Sequence, residues 1–133
     1  MHGQIVHILV EAPATFARNR LAIAVAPHAQ RIWVAAGPGN NGGDGLEAAT
    51  LLRHAGMAVA VTLLAAPETL PPDAARAWQR AIDAGVNVSS QLPETLGPGD
   101  LIIDAIFGVG ATREPAGPQA ALVRFIAEQA APV

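Results

Sequence analysis

Five of the chain's 13 glycines fall in one stretch, Gly37-Pro38-Gly39-Asn40-Asn41-Gly42-Gly43-Asp44-Gly45. Glycine clusters mark places where the backbone needs positive φ or must approach a ligand closely. The flanks decide what this one means. Arg31-Ile32-Trp33-Val34-Ala35-Ala36 reads as a short buried strand running into it. Gly45 to Ala55 reads as a helix leaving it, with Leu46, Ala49, Leu51 and Leu52 on the apolar face. Asp44 and Glu47 have the spacing of a capping box, and Gly56 is placed as the helix stop. A strand, a glycine-rich joint and a helix make half of a βα unit. In open parallel sheets ligands bind at such carboxyl ends, where the helix start offers N–H groups and a positive dipole end to anions.

The rest of the chain repeats the alternation. Met57 to Leu64 is apolar and uncharged, the pattern of a strand buried on both faces. Pro72 to Ala84 reads as a helix opened by proline and closed by Gly85. Val86-Asn87-Val88 is a short strand, Gly97-Pro98-Gly99 a turn, and Asp100 to Ile106 another nearly continuous apolar strand. A further helix fits Pro118 to Gln129, and Ala131-Pro132-Val133 leads toward another strand. Near the start, Gln4 to Val10 fits either strand or helix, and Ala14 to Ala26 fits a helix without one clean apolar face. Strands alternating with helices predict one α/β domain over residues 1–133: a three-layer αβα, Rossmann-like fold around a mainly parallel sheet.

Composition narrows the chemistry. With 51% apolar and 14% charged residues the chain is not of the disordered class. A net charge of −3 argues against nucleic acid as partner. There is no cysteine, which excludes disulfides, zinc–thiolate sites and thiol catalysis. All eight basic residues are arginine, so Schiff-base chemistry and lysine-dependent phosphate loops are excluded. Tyrosine is absent too, leaving aspartate, glutamate, histidine, serine and threonine for proton transfer. No apolar run reaches a membrane span, and Met1-His2-Gly3-Gln4 lacks a basic signal-peptide start, so a soluble cytoplasmic protein is expected.

Read literally, Gly37-x-Gly39-x-x-Gly42 matches the dinucleotide fingerprint. The acidic residue expected about 20 positions on is missing, since Thr62-Leu63-Leu64-Ala65 stands there and Glu68 lies past the strand. A Walker loop needs lysine and fails outright. The full string fits a third class better. Gly-Pro-Gly-Asn-Asn-Gly-Gly-Asp-Gly resembles the signature of the YjeF N-terminal domain family, the NAD(P)H-hydrate epimerases. A second string agrees: Asp100-Leu101-Ile102-Ile103-Asp104-Ala105-Ile106-Phe107-Gly108-Val109-Gly110 is similar to that family's Asp-Ala-(Ile/Leu)-Phe-Gly-x-Gly segment. The match runs from about residue 30 to Val133, with residues 1–29 a weakly matched helical segment.

The resemblance implies a repair reaction. Reduced nicotinamide cofactors become hydrated at ring carbon 6, and family members interconvert the R and S forms. A partner ADP- or ATP-dependent dehydratase, specific for S, then restores the cofactor. The implied site must grip a diphosphate, protonate a departing hydroxyl and steady a transient cation. Substrate contacts fall by resemblance on Asn40, Asn41, Gly42, Gly43 and Asp44, and on Gly108, Val109, Gly110, Ala111, Thr112, Arg113 and Glu114. The N–H groups of Asn41 to Gly45 would cradle the phosphates, and Arg113 is either a phosphate partner or a solvated loop charge. A potassium ion is the implied cofactor, with Asn41 and Asp104 at the matching ligand positions; oxygen donors of this kind suit a hard cation. Asp104 could instead cap loop N–H groups, and Asp44 could cap its helix as well as touch substrate. No catalytic acid or base is assigned.

Other polar and aromatic residues point less clearly to a site. His54 lies near a helix C-terminus, His2, His7 and His28 have no metal spacing, and Trp33 and Trp78 read as core. Two features depart from the family pattern. Phe16-Ala17-Arg18-Asn19-Arg20-Leu21 matches the family's Leu-Met-x-x-Ala-Gly helix poorly. The family's next strand ends in Asp-(Ile/Leu)-Pro-Ser-Gly, a string that would lie beyond Val133. The chain is therefore expected to be the front part of a domain truncated at its C-terminus, part of a bifunctional epimerase/dehydratase, or a reduced copy. The alternative is a non-catalytic nucleotide-binding or protein-interaction module of the same fold. Relatives often form dimers, so a homodimer is also implied.

Overall fold

The structure is a computed structural model, and it describes residues 4–7, 31–93 and 100–106 together with helical positions 120, 121, 123–125 and 128. Five strands and two α-helices are laid out along these residues: β1 (Gln4–His7), β2 (Arg31–Ala36), α1 (Asn40–His54), β3 (Val59–Leu63), α2 (Pro72–Asp83), β4 (Asn87–Ser89) and β5 (Asp100–Ala105). A single 3₁₀ turn, Pro67–Thr69, precedes α2. The strands form one sheet in the order β1-β5-β2-β3-β4, and every pairing is parallel. Gln4–His7 thus resolves the open choice near the N-terminus in favour of strand. The Ala14–Ala26 helix, the Gly97-Pro98-Gly99 turn and the 108–114 segment lie outside the described residues.

Apolar residues on both faces of the strands explain the layering. Ile32, Val34 and Ala36 of β2, Val59, Val61 and Leu63 of β3, and Leu101, Ile103 and Ala105 of β5 share one face with Leu46, Ala49 and Leu52 of α1 and Ala74, Ala77 and Ala81 of α2. The alternate residues Trp33, Ala35 and Ile102, joined by Ile106, pack on the other face with Val123 and Phe125. Helical residues therefore cover both sides, as an all-parallel sheet requires. The ring of Trp33 meets that of Phe125 edge-on, with centroids 5.4 Å apart and planes at 81°.

The helix stops are where the sequence places them. Gly56 and Gly85 carry the positive φ values, +89° and +82°, that close α1 and α2. The start of α1 differs from expectation. It opens at Asn40 rather than Gly45, with Gly39 as its N-cap. Asp44 is therefore in the second turn and no capping box forms; Glu47 instead pairs with Arg80 of α2. The glycines themselves cause the discrepancy, because their low helix propensity reads as loop while close packing draws them into the helix. Among the described residues no helix is long and apolar enough to cross a membrane.

Candidate functional site

The chain leaves β2 toward β3 on one side, and β5 returns on the other side of β2. The strand order reverses there, which makes the carboxyl ends of β2 and β5 the crevice where ligands of such sheets bind. The two ends are held level. Ala36 and Ala105 are register partners, and the N–H of Gly37 donates to the carbonyl of Ala105 at 3.0 Å.

Contacts within the chain, rather than positive φ, account for four of the five clustered glycines. A Cβ on Gly37 would stand 2.2 Å from the carbonyl oxygen of Ile106, and one on Gly42 would stand 1.9 Å from that of Gly37. A Cβ on Gly45 would meet Ala105 Cβ at 2.7 Å, and one on Gly43 would meet the Ala74 backbone at 3.0 Å. None of the five has positive φ. Glycine lets α1 settle directly onto the sheet and against α2, so its first turn starts at the strand ends. Gly39 is the exception: no described atom lies within 4 Å of a Cβ placed there.

The first hydrogen bond within α1 runs from the N–H of Gly43 to the carbonyl of Gly39 at 3.3 Å. The donors with no acceptor four residues back are therefore those of Asn40, Asn41 and Gly42, which corrects the expected Asn41–Gly45 set. Asn41 is 6% exposed, with its Oδ1 buried. Asp104, half-buried near the end of β5, accepts a hydrogen bond from the N–H of Ile106 at 3.1 Å. Capping of a loop N–H by Asp104, one of the two roles open to it, is thus present. Asn41 and Asp104 stand on the two segments that Gly37 joins. Asn40, Gly43 and Asp44 face a different way, lining a groove of about 310 Å³ with Glu47, Asp73 and Arg80.

Sequence reasoning missed two features near this edge. The groove between α1 and α2 has both Asp44 and Asp73 in its lining, an arrangement that needs two helices packed together. A second cavity of about 690 Å³ opens beside β3 and β4 and includes Leu63, Trp78, Ile82, Val88 and Ser89 in its lining. Trp78 is accordingly half-buried, packed on the core on one side and open to this cavity on the other. Trp33 is core as expected, 3% exposed, and its Nε1 donates to Thr62 Oγ1 at 2.8 Å. Thr62 Oγ1 in turn donates to the Gln91 carbonyl at 2.7 Å. His54 is exposed at the end of α1. No group of three or more acidic, histidine or cysteine side chains suited to a metal occurs among the described residues.

A family model described as YjeF-related protein N-terminus matches residues 5–133. The chain belongs to this family. YjeF-related relatives include the NAD(P)H-hydrate epimerase of Bordetella bronchiseptica, 45% identical over 106 residues, which are 80% of this chain and 43% of that protein. The bifunctional NAD(P)H-hydrate repair enzyme Nnr of Thermofilum pendens is 39% identical over 101 residues, covering 71% of this chain and 19% of that protein. Among solved structures, a yeast protein, ynu0 (YNL200c), superposes with a TM-score of 0.74 at 25% identity, over 87% of this chain and 53% of that one. The chain thus spans less than half the length of these curated YjeF-related relatives.

Proposed function

We propose that this chain carries the diphosphate-gripping part of an NAD(P)H-hydrate epimerase, which interconverts the R and S forms of hydrated NADH and NADPH. The observation that carries the reading is the start of α1 at the sheet's reversal point. Three successive N–H groups, those of Asn40, Asn41 and Gly42, precede the first intrahelical bond there. A helix start of this kind favours anions without any lysine. The carboxylates of Glu47 and Asp73 in the α1–α2 groove would repel phosphate, so the diphosphate belongs on the strand side of the helix start. Gly39, where no described atom would meet a side chain, lets it approach the backbone.

Each hydrate would take up a proton and lose its hydroxyl as water through push from the ring nitrogen, and water would re-add from the other face, releasing that proton. The segment Gly108, Val109, Gly110, Ala111, Thr112, Arg113 and Glu114 supplies the remaining proposed substrate contacts, whereas Asp44, which lines the α1–α2 groove, is set aside as a diphosphate contact. The proposed cofactor is potassium. The donor set fits a hard monovalent cation: the amide oxygen of Asn41, the carboxylate of Asp104 and nearby backbone carbonyls are all oxygen. Bound there, the ion would supply positive charge beside the Asp104 carboxylate and fix the two joined segments. The Thermofilum relative's name, a bifunctional repair enzyme, supports a dehydratase as functional partner.

The test supplies purified R-hydrate and follows S-hydrate by chromatography, with potassium or sodium as the salt. The Bordetella bronchiseptica relative serves as positive control. Acceleration by this chain that depends on potassium is expected. No acceleration under conditions where the control is active would overturn the epimerase reading for this chain and leave a binding module.

A further inference from the structure

The cavity beside β3 and β4 has no role in the reaction just described, yet it opens on the same carboxyl edge. Its rim begins at Leu64, whose N–H donates to the Ala36 carbonyl at 3.0 Å, one residue before Gly37. Pro67, Trp78, Val88, Ser89 and Ser90 are also in its lining. At about 690 Å³ it falls in the range of small-molecule sites, mostly apolar with a few polar groups. None of its described lining residues is acidic, basic or histidine. It can hold a ring, and among the described residues it offers no carboxylate or imidazole to act on one.

We propose that this cavity binds the adenine base of the hydrated dinucleotide, the end that does not react. The inference rests on the epimerase reading and assigns the two ends of its substrate. With the diphosphate at Asn40–Gly42, the hydrated ring needs ionisable groups and so lies toward Asp104 on β5. The adenine half then extends the opposite way, past β2 to the ends of β3 and β4. A flat purine suits a slot with an indole in its wall, since base–aromatic stacking contributes about 1–3 kcal/mol. The serine hydroxyls can donate to and accept from the purine edge or the ribose.

The chain's two tryptophans make the test direct. Their indole N–H signals in a ¹⁵N-labelled sample report two places, because Trp33 is buried and bonded to Thr62 while Trp78 lines the cavity. AMP is expected to move the Trp78 signal to saturation and leave that of Trp33 in place, whereas nicotinamide mononucleotide moves neither. Ala66→Phe, which fills the cavity rim, should raise the AMP Kd at least tenfold, and Ser90→Phe serves the same purpose should the first variant fold poorly. A Trp78 signal indifferent to AMP would overturn the proposal, as would one that follows protein concentration instead, the mark of a second copy in the groove. Saturable AMP binding without epimerisation would sink the reaction and keep the base site; epimerisation without an AMP response at Trp78 would do the reverse.

Discussion

Arg31 and Asp100 face each other across the first rung of the β2–β5 ladder, with Arg31 Nη2 2.6 Å from Asp100 Oδ2 and Arg31 Nε 3.2 Å from Oδ1. The Asp100 side chain is 3% exposed and that of Arg31 is 54% exposed, so a buried carboxylate is met by a guanidinium that still reaches water. Hydrogen bonding to Asp100 holds Arg31 above the usual arginine range, with desolvation partly opposing it. A base whose pKa rises on folding stabilises fully below its unfolded pKa and loses that contribution only as pH climbs through the folded value. Arg31→Ala should cost about 2 kcal/mol in urea unfolding, chiefly because the buried carboxylate loses its two-pronged guanidinium. The gap to the parent protein should stay constant from neutral pH into the mildly alkaline range. Arg31→Lys should recover only part of it, because lysine lacks the two-pronged geometry.

The glycines of the α1 start separate folding from binding. Gly42→Ala gains up to about 1 kcal/mol of helix propensity, but its Cβ would lie 1.9 Å from a backbone oxygen that cannot step aside. The clash should win, at a net loss of about 2 kcal/mol. Gly39→Ala meets no described atom within 4 Å and should change stability by less than about 0.5 kcal/mol. It should nevertheless weaken ADP-ribose binding, measured by calorimetry. Equal ADP-ribose affinity in Gly39→Ala and the parent would remove Gly39 from the phosphate contact.

Thr62 links Trp33 to the Gln91 carbonyl through one hydroxyl. Thr62→Val leaves the indole N–H buried without its acceptor, at a cost of about 2 kcal/mol. Thr62→Ser keeps the hydroxyl and should cost less. Combined with Trp33→Phe, the valine change should be clearly less than additive in chemical denaturation, because the donor it strands is already gone.

Potassium, replacing sodium at equal ionic strength, should raise the melting temperature of the parent chain. The increment should vanish in Asp104→Ala and in Asn41→Ala. Persistence of the full increment in Asp104→Ala would remove that carboxylate from the ion site.

Most of the fold was legible because the strands are apolar on both faces and the helices end at Gly56 and Gly85, signals that act locally. The beginning of α1 was not. Asn40 to Asp44 have poor helix propensity, and the packing that holds the helix start is made with residues far away in sequence: Gly43 lies against Ala74 of α2, and Gly45, just beyond, against Ala105 of β5. The glycine window did locate the site, yet the reason for most of its glycines is the chain's own packing. The α1–α2 groove and the Trp78 cavity arise where separate elements cross, so no spacing along the chain announces them.

Strand order also dictates timing. β5 lies between β1 and β2 and pairs with both, while β1 has no other described partner. As the polypeptide is synthesised, the block from β2 to β4 can assemble early, since its pairings are close in sequence. The first strand has to wait for residues about a hundred positions later before it gains its described neighbour, β5. Closing the ligand crevice is therefore among the last acts of folding, and a nascent chain halted before Asp100 would expose the long apolar flank of β2.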